Sequence, residues 1–318
     1  MGRVVLVTGV AGDLGGRFAR RIAADPAVDR VIGVDVLPPR TDLGSVAFVR
    51  ADIRNPVIAK VIAGQDVDTV VHTSVQSSSG RGGAGRSSVK EHNVIGTMQL
   101  LAACQRAPGL ERLVVKSSSS VYGSSSRDPA MFTEDMSAKR LPRTGYPKDV
   151  LEVEGYVRGF ARRRPDVTVT LLRAAGTVGP AVSSPLTDYF RLPVVPTVLG
   201  YDARLQLLHE ADLLAALHHA TLAGVHGTFN VAGDGVLVLS QALRRLGRPR
   251  VPVPSFALTT AGTVTRTGGL RGIEGDLTGF LTFGRGLDTT RMYDVLGFSP
   301  RYTTAAALAD FGGAGAHA

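Results

Sequence analysis

Residues 4–22 read VVLVTGVAGDLGGRFARRI. Four β-forming residues lead into three glycines spaced three apart, and an amphipathic pattern follows them. This order predicts a strand, a tight turn and the beginning of a helix. Glycines let the backbone approach a pyrophosphate closely, and the free N–H groups of the helix N-terminus receive its negative charge. The predicted phosphate-binding residues are Gly9, Gly12, Asp13, Leu14 and Gly15.

A second strand, predicted over residues 30–34, ends at Asp35. A carboxylate at this place accepts hydrogen bonds from the ribose hydroxyls of adenosine and repels a 2′-phosphate, which favours NAD over NADP. The simpler alternative is an aspartate that only ends a strand. Arg40 follows closely and could pair with a 2′-phosphate, so NADP is disfavoured rather than excluded.

Strand and helix patterns alternate through about residue 180. Such alternation predicts an α/β fold of the Rossmann type, a doubly wound parallel sheet with helices on both faces. Ligands bind such sheets at the carboxyl ends of the strands. Polar segments follow the third and fourth predicted strands, and we therefore assign them to the cofactor site: Asp52 with Ile53, and Thr73 with Ser74.

The regular alternation stops after Pro180, which predicts a second, smaller unit. We expect residues 1–180 with about 205–235 to form the NAD-binding domain. About 181–204 and 236–318 would form a smaller C-terminal substrate lobe. The Ser- and Gly-rich segment 76–86 is interpreted either as a lid over phosphates or as a surface loop.

Composition excludes several classes of protein. With 44% hydrophobic and 20% charged residues, the chain is typical of a globular protein. It has no 18-residue apolar run and no signal-peptide pattern, so we expect a soluble, cytoplasmic protein without membrane contact. The net charge of +9 comes from scattered arginines, a pattern that does not predict nucleic-acid binding. Cys104 is expected in the core, and no residue cluster predicts a metal site.

Several motifs occur in the order typical of one family. They are Thr8-Gly9-x-x-Gly12-x-x-Gly15, Asp35, Asp52-Ile53, Asn93-Val94-x-Gly96-Thr97, the run Ser117-Ser-Ser-Ser-Val-Tyr-Gly123, and Asp288-Thr-Thr-Arg291 with Leu296-Gly-Phe-x-Pro300. Together they resemble the extended short-chain dehydrogenase/reductases, within them the NAD-dependent epimerase/dehydratase branch that includes the UDP-galactose 4-epimerases. The resemblance implies bound NAD, a nucleotide-sugar substrate and a homodimer through helices near 91–107 and 147–163.

The resemblance also implies roles for particular residues. Ser118 and Tyr146 would polarise the reacting oxygen, Ser119 and Ser120 would contact substrate, and Asn93, Ser117 and Tyr146 would lie at the cofactor. The family places a lysine four residues after the tyrosine, where this chain has Val150. A tyrosine with a pKa of about 10 needs roughly 4 kcal/mol to become an anion at pH 7, and a nearby ammonium offsets part of this. Lys148 is a candidate substitute.

Two substrate contacts of the family are also replaced. Gly176 stands in the place of an asparagine, and Leu205 in that of an arginine for which its neighbour Arg204 could substitute. We therefore expect an NAD-dependent enzyme acting on a nucleotide sugar or a related alcohol or ketone, with reduced or altered chemistry. The alternative hypothesis is a non-catalytic NAD-binding sensor or assembly protein. A third hypothesis is a reductase or lyase for a small-molecule intermediate that uses Lys148 or a bound water as a relay. His72 and His209 are expected to be structural.

Overall fold

Seven parallel strands form the central sheet. The computed structural model describes residues 2–75, 86–255 and 275–315. The strands are β1 (Arg3–Thr8), β2 (Val28–Asp35), β3 (Ala47–Arg50), β4 (Thr69–His72), β5 (Arg112–Ser118), β6 (Thr168–Ala174) and β11 (Gly227–Val231). Their order across the sheet is β3-β2-β1-β4-β5-β6-β11. The predicted parallel sheet of the Rossmann type is confirmed. Residues 76–85 of the segment interpreted as a lid or a surface loop lie outside the described part of the chain.

The sheet order reverses at β1, which lies between β2 and β4. Thr8 at the end of β1 is paired with Val34 on one side and His72 on the other. Chain connections leave such a point in opposite directions and open a crevice outside the carboxyl ends of the strands. The glycine turn, Asp35 and Ser74 therefore meet at this edge.

Two groups of helices cover the sheet. One pairs α1 with α7, and the other packs α2, α4 and α5 together. The helices are α1 (Asp13–Ala23), α2 (Val57–Gly64), α3 (Arg86–Lys90), α4 (Gly96–Gln105), α5 (Gly145–Arg163), α6 (Pro185–Phe190), α7 (Glu210–Ala223), α8 (Leu239–Arg245), α9 (Gly275–Phe283), α10 (Thr290–Asp294) and α11 (Thr304–Gly315). A π-helical turn, Glu91–Ile95, joins α3 to α4. Such turns inside helices occur frequently at functional sites.

A second hydrophobic core lies beside the first and is built mostly from the region after Gly176. Its buried residues include Val178, Phe190, Leu207, Leu243 and Phe311. Short strands surround it: β7 (Gly176–Val178), β8 (Val195–Val198), β9 (Arg204–Leu205), β10 (Leu207–His209), β12 (Leu237–Val238), β13 (Arg250–Val253) and β14 (Gly284–Arg285). Leu287, Met292, Leu296 and Phe298 pack in the first core instead. The proposed boundaries of the substrate lobe stay a prediction.

A buried ion pair ties α5 to the sheet. The Arg173 guanidinium on β6 donates to both carboxylate oxygens of Glu154 on α5, at 3.0 and 2.8 Å. Burial opposes the charge on Arg173, but pairing with Glu154 outweighs it and raises the pKa of the guanidinium. Ser117 on β5 also donates to Glu154, at 2.6 Å, and Arg173 donates to the Tyr122 hydroxyl at 2.8 Å. Three neighbouring elements thus depend on one carboxylate.

We predict that Glu154→Gln lowers the free energy of unfolding by about 3 kcal/mol, because it leaves the buried Arg173 charge without its counter-charge. Urea denaturation measures the change. The matched control is Arg158→Ala, which removes the exposed second partner of Glu154 and should cost at most about 1 kcal/mol. Equal losses in the two variants would contradict the assigned role of the buried pair.

Candidate functional site

A small cleft opens at the reversal point of the sheet. Four of the predicted cofactor residues line it: Gly9, Asp35, Ile53 and Ser74. The other lining residues are Val34, Val36, Ala51 and His92. The cleft is therefore apolar on one wall, while a carboxylate, a hydroxyl and an imidazole supply its polar groups.

The glycine turn is closed too tightly for side chains. Gly9 has φ +81°, a left-handed conformation that favours glycine. A Cβ on Gly15 would lie 2.2 Å from the Gly9 carbonyl oxygen and 2.9 Å from the Thr73 hydroxyl. Gly12 is the N-cap of α1, and no side chain caps this helix N-terminus. The backbone N–H groups of the first turn are thus left for a ligand, as a phosphate cradle requires.

Asp35 lies at the carboxyl end of β2, on the rim of the cleft. Its carboxylate accepts hydrogen bonds from the backbone N–H groups of Ala11 at 3.0 Å and Val36 at 2.7 Å. These bonds fix the carboxylate beside the glycine turn. A carboxylate at this place in the fold can accept hydrogen bonds from the two hydroxyls of a ribose. Arg40, the candidate contact for a 2′-phosphate, is exposed.

Asp52 is held by its neighbour Arg54, which approaches both carboxylate oxygens. The hydrogen bonds from the Arg54 guanidinium hold the pKa of Asp52 below its usual range, although partial burial opposes this. Ile53, between them, is buried and lines the cleft. This segment supplies an apolar wall with a charged pair beside it.

The fourth strand is anchored beneath the cleft by hydroxyl groups. His72 is fully buried, and its two ring nitrogens lie 2.8 Å from the Thr8 hydroxyl and 2.9 Å from the Thr97 hydroxyl. Burial lowers its pKa to about 3, so the ring is neutral and structural. Thr73 donates to the Thr8 carbonyl at 2.6 Å. Of this segment, Ser74 faces the cleft.

Asn93 lies in the π-helical turn and is buried. Its side-chain amide donates to Asp149 on α5 at 3.2 Å, and its backbone carbonyl accepts from the Thr97 hydroxyl. The residue therefore links the π-helical turn to the helix that carries Tyr146. Ser117, also predicted at the cofactor, is buried with its hydroxyl donated to Glu154.

The serine run ends β5 and turns into a 3₁₀ helix over Ser119–Tyr122. Ser118 caps this helix, with its Oγ accepting from the Ser120 N–H at 3.2 Å. Ser119 accepts from the Arg285 guanidinium at 3.4 Å. The Ser120 hydroxyl is buried and has no partner among the described residues.

Tyr146 lies in the first turn of α5, one residue after the helix begins. The sequence pattern placed the helix start at Pro147, and the helix begins two residues earlier, at Gly145, after Thr144 in an extended conformation. Val150 is completely buried in the main core. Lys148 points to Glu152, one turn further along, with 3.7 Å between the ammonium and the carboxylate. The described structure thus holds an apolar side chain where the family pattern has its lysine.

The predicted substrate contacts are spread out. Arg204 begins β9 and is exposed, whereas Leu205 beside it is fully buried. Gly176 begins β7, where a Cβ would lie 2.8 Å from Leu186. His209 caps α7 and stacks on Tyr302, with ring centroids 3.8 Å apart, and is therefore structural as expected.

Sequence reasoning missed His92, which lines the cleft one residue before Asn93. It also missed Arg54 as the partner of Asp52, and Arg285 as that of Ser119. Arg54 carried a short-range signal, since it stands two residues from an aspartate. His92 and Arg285 carried no such sequence signal, because only the packing of the π-helical turn and of β14 brings them to the site.

No helix in the described ranges has the length and apolar character needed to cross a bilayer. Within the same ranges, no group of three or more histidine, cysteine or acidic side chains is arranged to hold a metal ion.

Comparison with known proteins gives a consistent result. The model of the NAD dependent epimerase/dehydratase family matches residues 5–232. An uncharacterised protein of Mycobacterium tuberculosis is 51% identical over 313 residues, which cover 97% of this chain and 83% of that protein. UDP-glucose 4-epimerase 2 of Oryza sativa is 31% identical over 191 residues, 56% of this chain and 45% of the epimerase.

The same fold is found in solved structures. One is the UDP-glucose-4-epimerase of Stenotrophomonas maltophila with bound NAD and formylated UDP-arabinopyranose. It superposes with a TM-score of 0.74 at 21% identity and covers 100% of this chain and 98% of that one. At this identity the likeness concerns the fold.

We predict that Gly15→Ala weakens NAD binding by at least about tenfold, or ~1.4 kcal/mol, because the new methyl group must push apart the turn that holds the pyrophosphate. Isothermal titration calorimetry measures the affinity. Gly64→Ala is the matched control, since a Cβ there meets nothing within 4 Å. Unchanged affinity in Gly15→Ala would argue against a phosphate site at this turn.

Proposed function

The chain belongs to the NAD-dependent epimerase/dehydratase family, and we propose from this premise that it is an oxidoreductase of nucleotide sugars or related alcohols and ketones. The observation that carries the proposal is the cleft at the reversal of the sheet, where the glycine turn meets Asp35. The residues present fit NAD. Gly9, Gly12 and Gly15 leave room for its pyrophosphate, and Asp35 suits the ribose of its adenosine half.

Bound NAD supplies the acceptor and donor of hydride. The protein's own contribution is to hold the reacting oxygen and move its proton. Ser118 accepts a hydrogen bond from Ser120 N–H, which leaves its own O–H available to donate to a substrate oxygen. Tyr146 would exchange the proton with that oxygen as acid and base.

Val150 makes this proton transfer harder. Formation of a tyrosinate at pH 7 costs roughly 4 kcal/mol for a phenol of ordinary pKa. Tyr146 lies in the first turn of α5, where the positive end of the helix dipole favours an anion by about 0.3–1 kcal/mol. This offsets only part of the cost, and Lys148 is engaged with Glu152. We therefore propose reduced or altered chemistry relative to family members that carry the lysine.

The second candidate is a non-catalytic NAD-binding protein, a sensor or an assembly subunit. The burial of Val150 at the lysine position favours it, since the cofactor cleft is intact while the proton-transfer group is incomplete. NAD that co-purifies with the protein, together with binding to a panel of UDP- and dTDP-sugars, would identify the ligands in either case.

A homodimer in the cytoplasm belongs to the same proposal. Ile95 on the π-helical turn and Tyr156 on α5 are large apolar residues, each 40% exposed, on the helices expected at the dimer interface. Sedimentation velocity of the purified protein determines the oligomeric state.

We predict that Tyr146→Phe lowers turnover of the active nucleotide sugar by about 10²- to 10⁴-fold, because the variant loses its acid and base. NADH absorbance and product analysis measure turnover, and calorimetry should show NAD affinity close to that of the wild type. The non-catalytic alternative would instead be supported if the wild type binds NAD but turns over no sugar of the panel, and if Tyr146→Phe binds NAD with the same affinity.

We predict that Val150→Lys raises kcat/KM by at least about tenfold, since each unit by which an ammonium lowers the tyrosine pKa corresponds to about 1.4 kcal/mol. Val150→Met has a similar length without the charge and should give no gain. Thermal unfolding of both variants checks that the core tolerates them. Equal kcat/KM in all three proteins would show that the lysine is not the missing element.

A further inference from the structure

One polar atom on the wall of the cleft has no partner. The Nε2 atom of His92 is buried and has no hydrogen-bond partner among the described residues. An unsatisfied buried polar group destabilises the folded state, and native structures contain few of them. His92 also lines the cleft that holds Asp35 and Ser74. A ligand in the cleft is therefore the natural partner of this atom.

The surroundings of the ring decide what kind of partner it needs. A contact with the Ser74 backbone raises the pKa of His92. A neutral imidazole has one nitrogen that donates and one that accepts, and the tautomer with its proton on Nδ1 leaves the unpartnered Nε2 as an acceptor.

Charged groups approach the ring from three other elements. Burial lowers the pKa of His92 most, Asp35 on β2 and Asp52 after β3 raise it, and Arg54 lowers it. The neutral ring of His72 on β4 also lies near it, and a charge on His92 would lower the pKa of His72. The net direction is downward, so His92 is neutral at pH 7 and Nε2 carries a lone pair.

The adenosine half of a dinucleotide supplies the donors that this wall lacks. Its adenine amino group and its ribose hydroxyls all donate hydrogen bonds, and the apolar side chains of Val36, Ala51 and Ile53 suit a flat base. A 2′-phosphate, which offers only acceptors at pH 7, would meet a lone pair here as well as the Asp35 carboxylate.

We propose that His92 is a nucleoside-recognition residue, whose Nε2 accepts a hydrogen bond from the adenosine half of NAD. The inference rests on the proposed use of NAD at this site and adds a specificity-determining group to it. Together with Asp35, the imidazole makes the cleft select hydrogen-bond donors and disfavour a phosphorylated ribose.

The test is a set of binding affinities measured by calorimetry for NAD, AMP, nicotinamide mononucleotide and nicotinamide hypoxanthine dinucleotide. His92→Phe keeps a ring and removes the acceptor, and His226→Phe is the matched control because His226 is exposed and bonds to Val169 N–H away from the cleft. In His92→Phe, the affinities for NAD and AMP should fall by about tenfold, which corresponds to ~1.4 kcal/mol. The affinity for nicotinamide mononucleotide should stay unchanged.

The hypoxanthine dinucleotide lacks the amino group and so distinguishes the two donors. If the amine is the donor, this ligand binds wild type and His92→Phe equally well; if a ribose hydroxyl is the donor, it loses as much affinity as NAD. His92→Gln retains an acceptor and should recover most of the NAD affinity. In wild-type protein labelled with ¹⁵N-histidine, AMP should shift one ring-nitrogen resonance that is absent from His92→Gln.

Wild-type affinity for NAD and AMP in His92→Phe would overturn the proposal. An equal loss for nicotinamide mononucleotide would also overturn it, since the effect would then be general. If His92→Phe does not fold, the wild type decides the question: the proposal is overturned when AMP causes no ¹⁵N shift of the His92 ring. A wild type that binds no NAD refutes the cofactor assignment as well, whereas one that binds NAD without dependence on His92 refutes only this inference.

Discussion

The buried pair of Glu154 and Arg173 is the interaction on which the geometry of the site depends. Glu154 lies on α5 eight residues after Tyr146, and Arg173 lies on β6. Two charges removed from water are stable only when each satisfies the other, so the helix has little freedom to shift along the sheet. The same carboxylate accepts from Ser117, next to Ser118. One ion pair thus sets the relation between the two residues proposed to hold the reacting oxygen.

The two halves of the site have different chemistry. At the proposed cofactor end, the glycine turn, Asp35, Ser74 and His92 line one cleft, and Asp35 is held there by the Ala11 N–H. At the reacting end, α5 presents Tyr146 in its first turn and the apolar Val150 one turn later. In the proposed function, binding and proton transfer are therefore separable, because NAD binding would depend on backbone groups and Asp35, whereas proton transfer would depend on an ammonium that Val150 replaces.

Much of the fold followed from local sequence. The predicted parallel sheet and the NAD-dependent family are confirmed. They could be predicted because alternating strand and helix patterns and the glycine spacing involve residues that are close together in the chain. The helix carrying Asn93 was expected, but its π-helical turn was not, because no local pattern distinguishes one additional residue in a turn. The identity of the substrate and the catalytic roles remain proposals.

Local sequence was enough to predict the seven strands of the central sheet, the place of the glycine turn, the carboxylate at the end of the second strand and the absence of the family's lysine. Each of these is a property of residue type and spacing. The seven short strands outside the sheet, the pairing of Lys148 with Glu152, the bond from Ser117 to Glu154 and the unsatisfied nitrogen of His92 in the cleft became visible only in the tertiary structure. Side-chain direction and hydrogen-bond satisfaction depend on what packs against a residue from distant parts of the chain, and spacing does not contain that information.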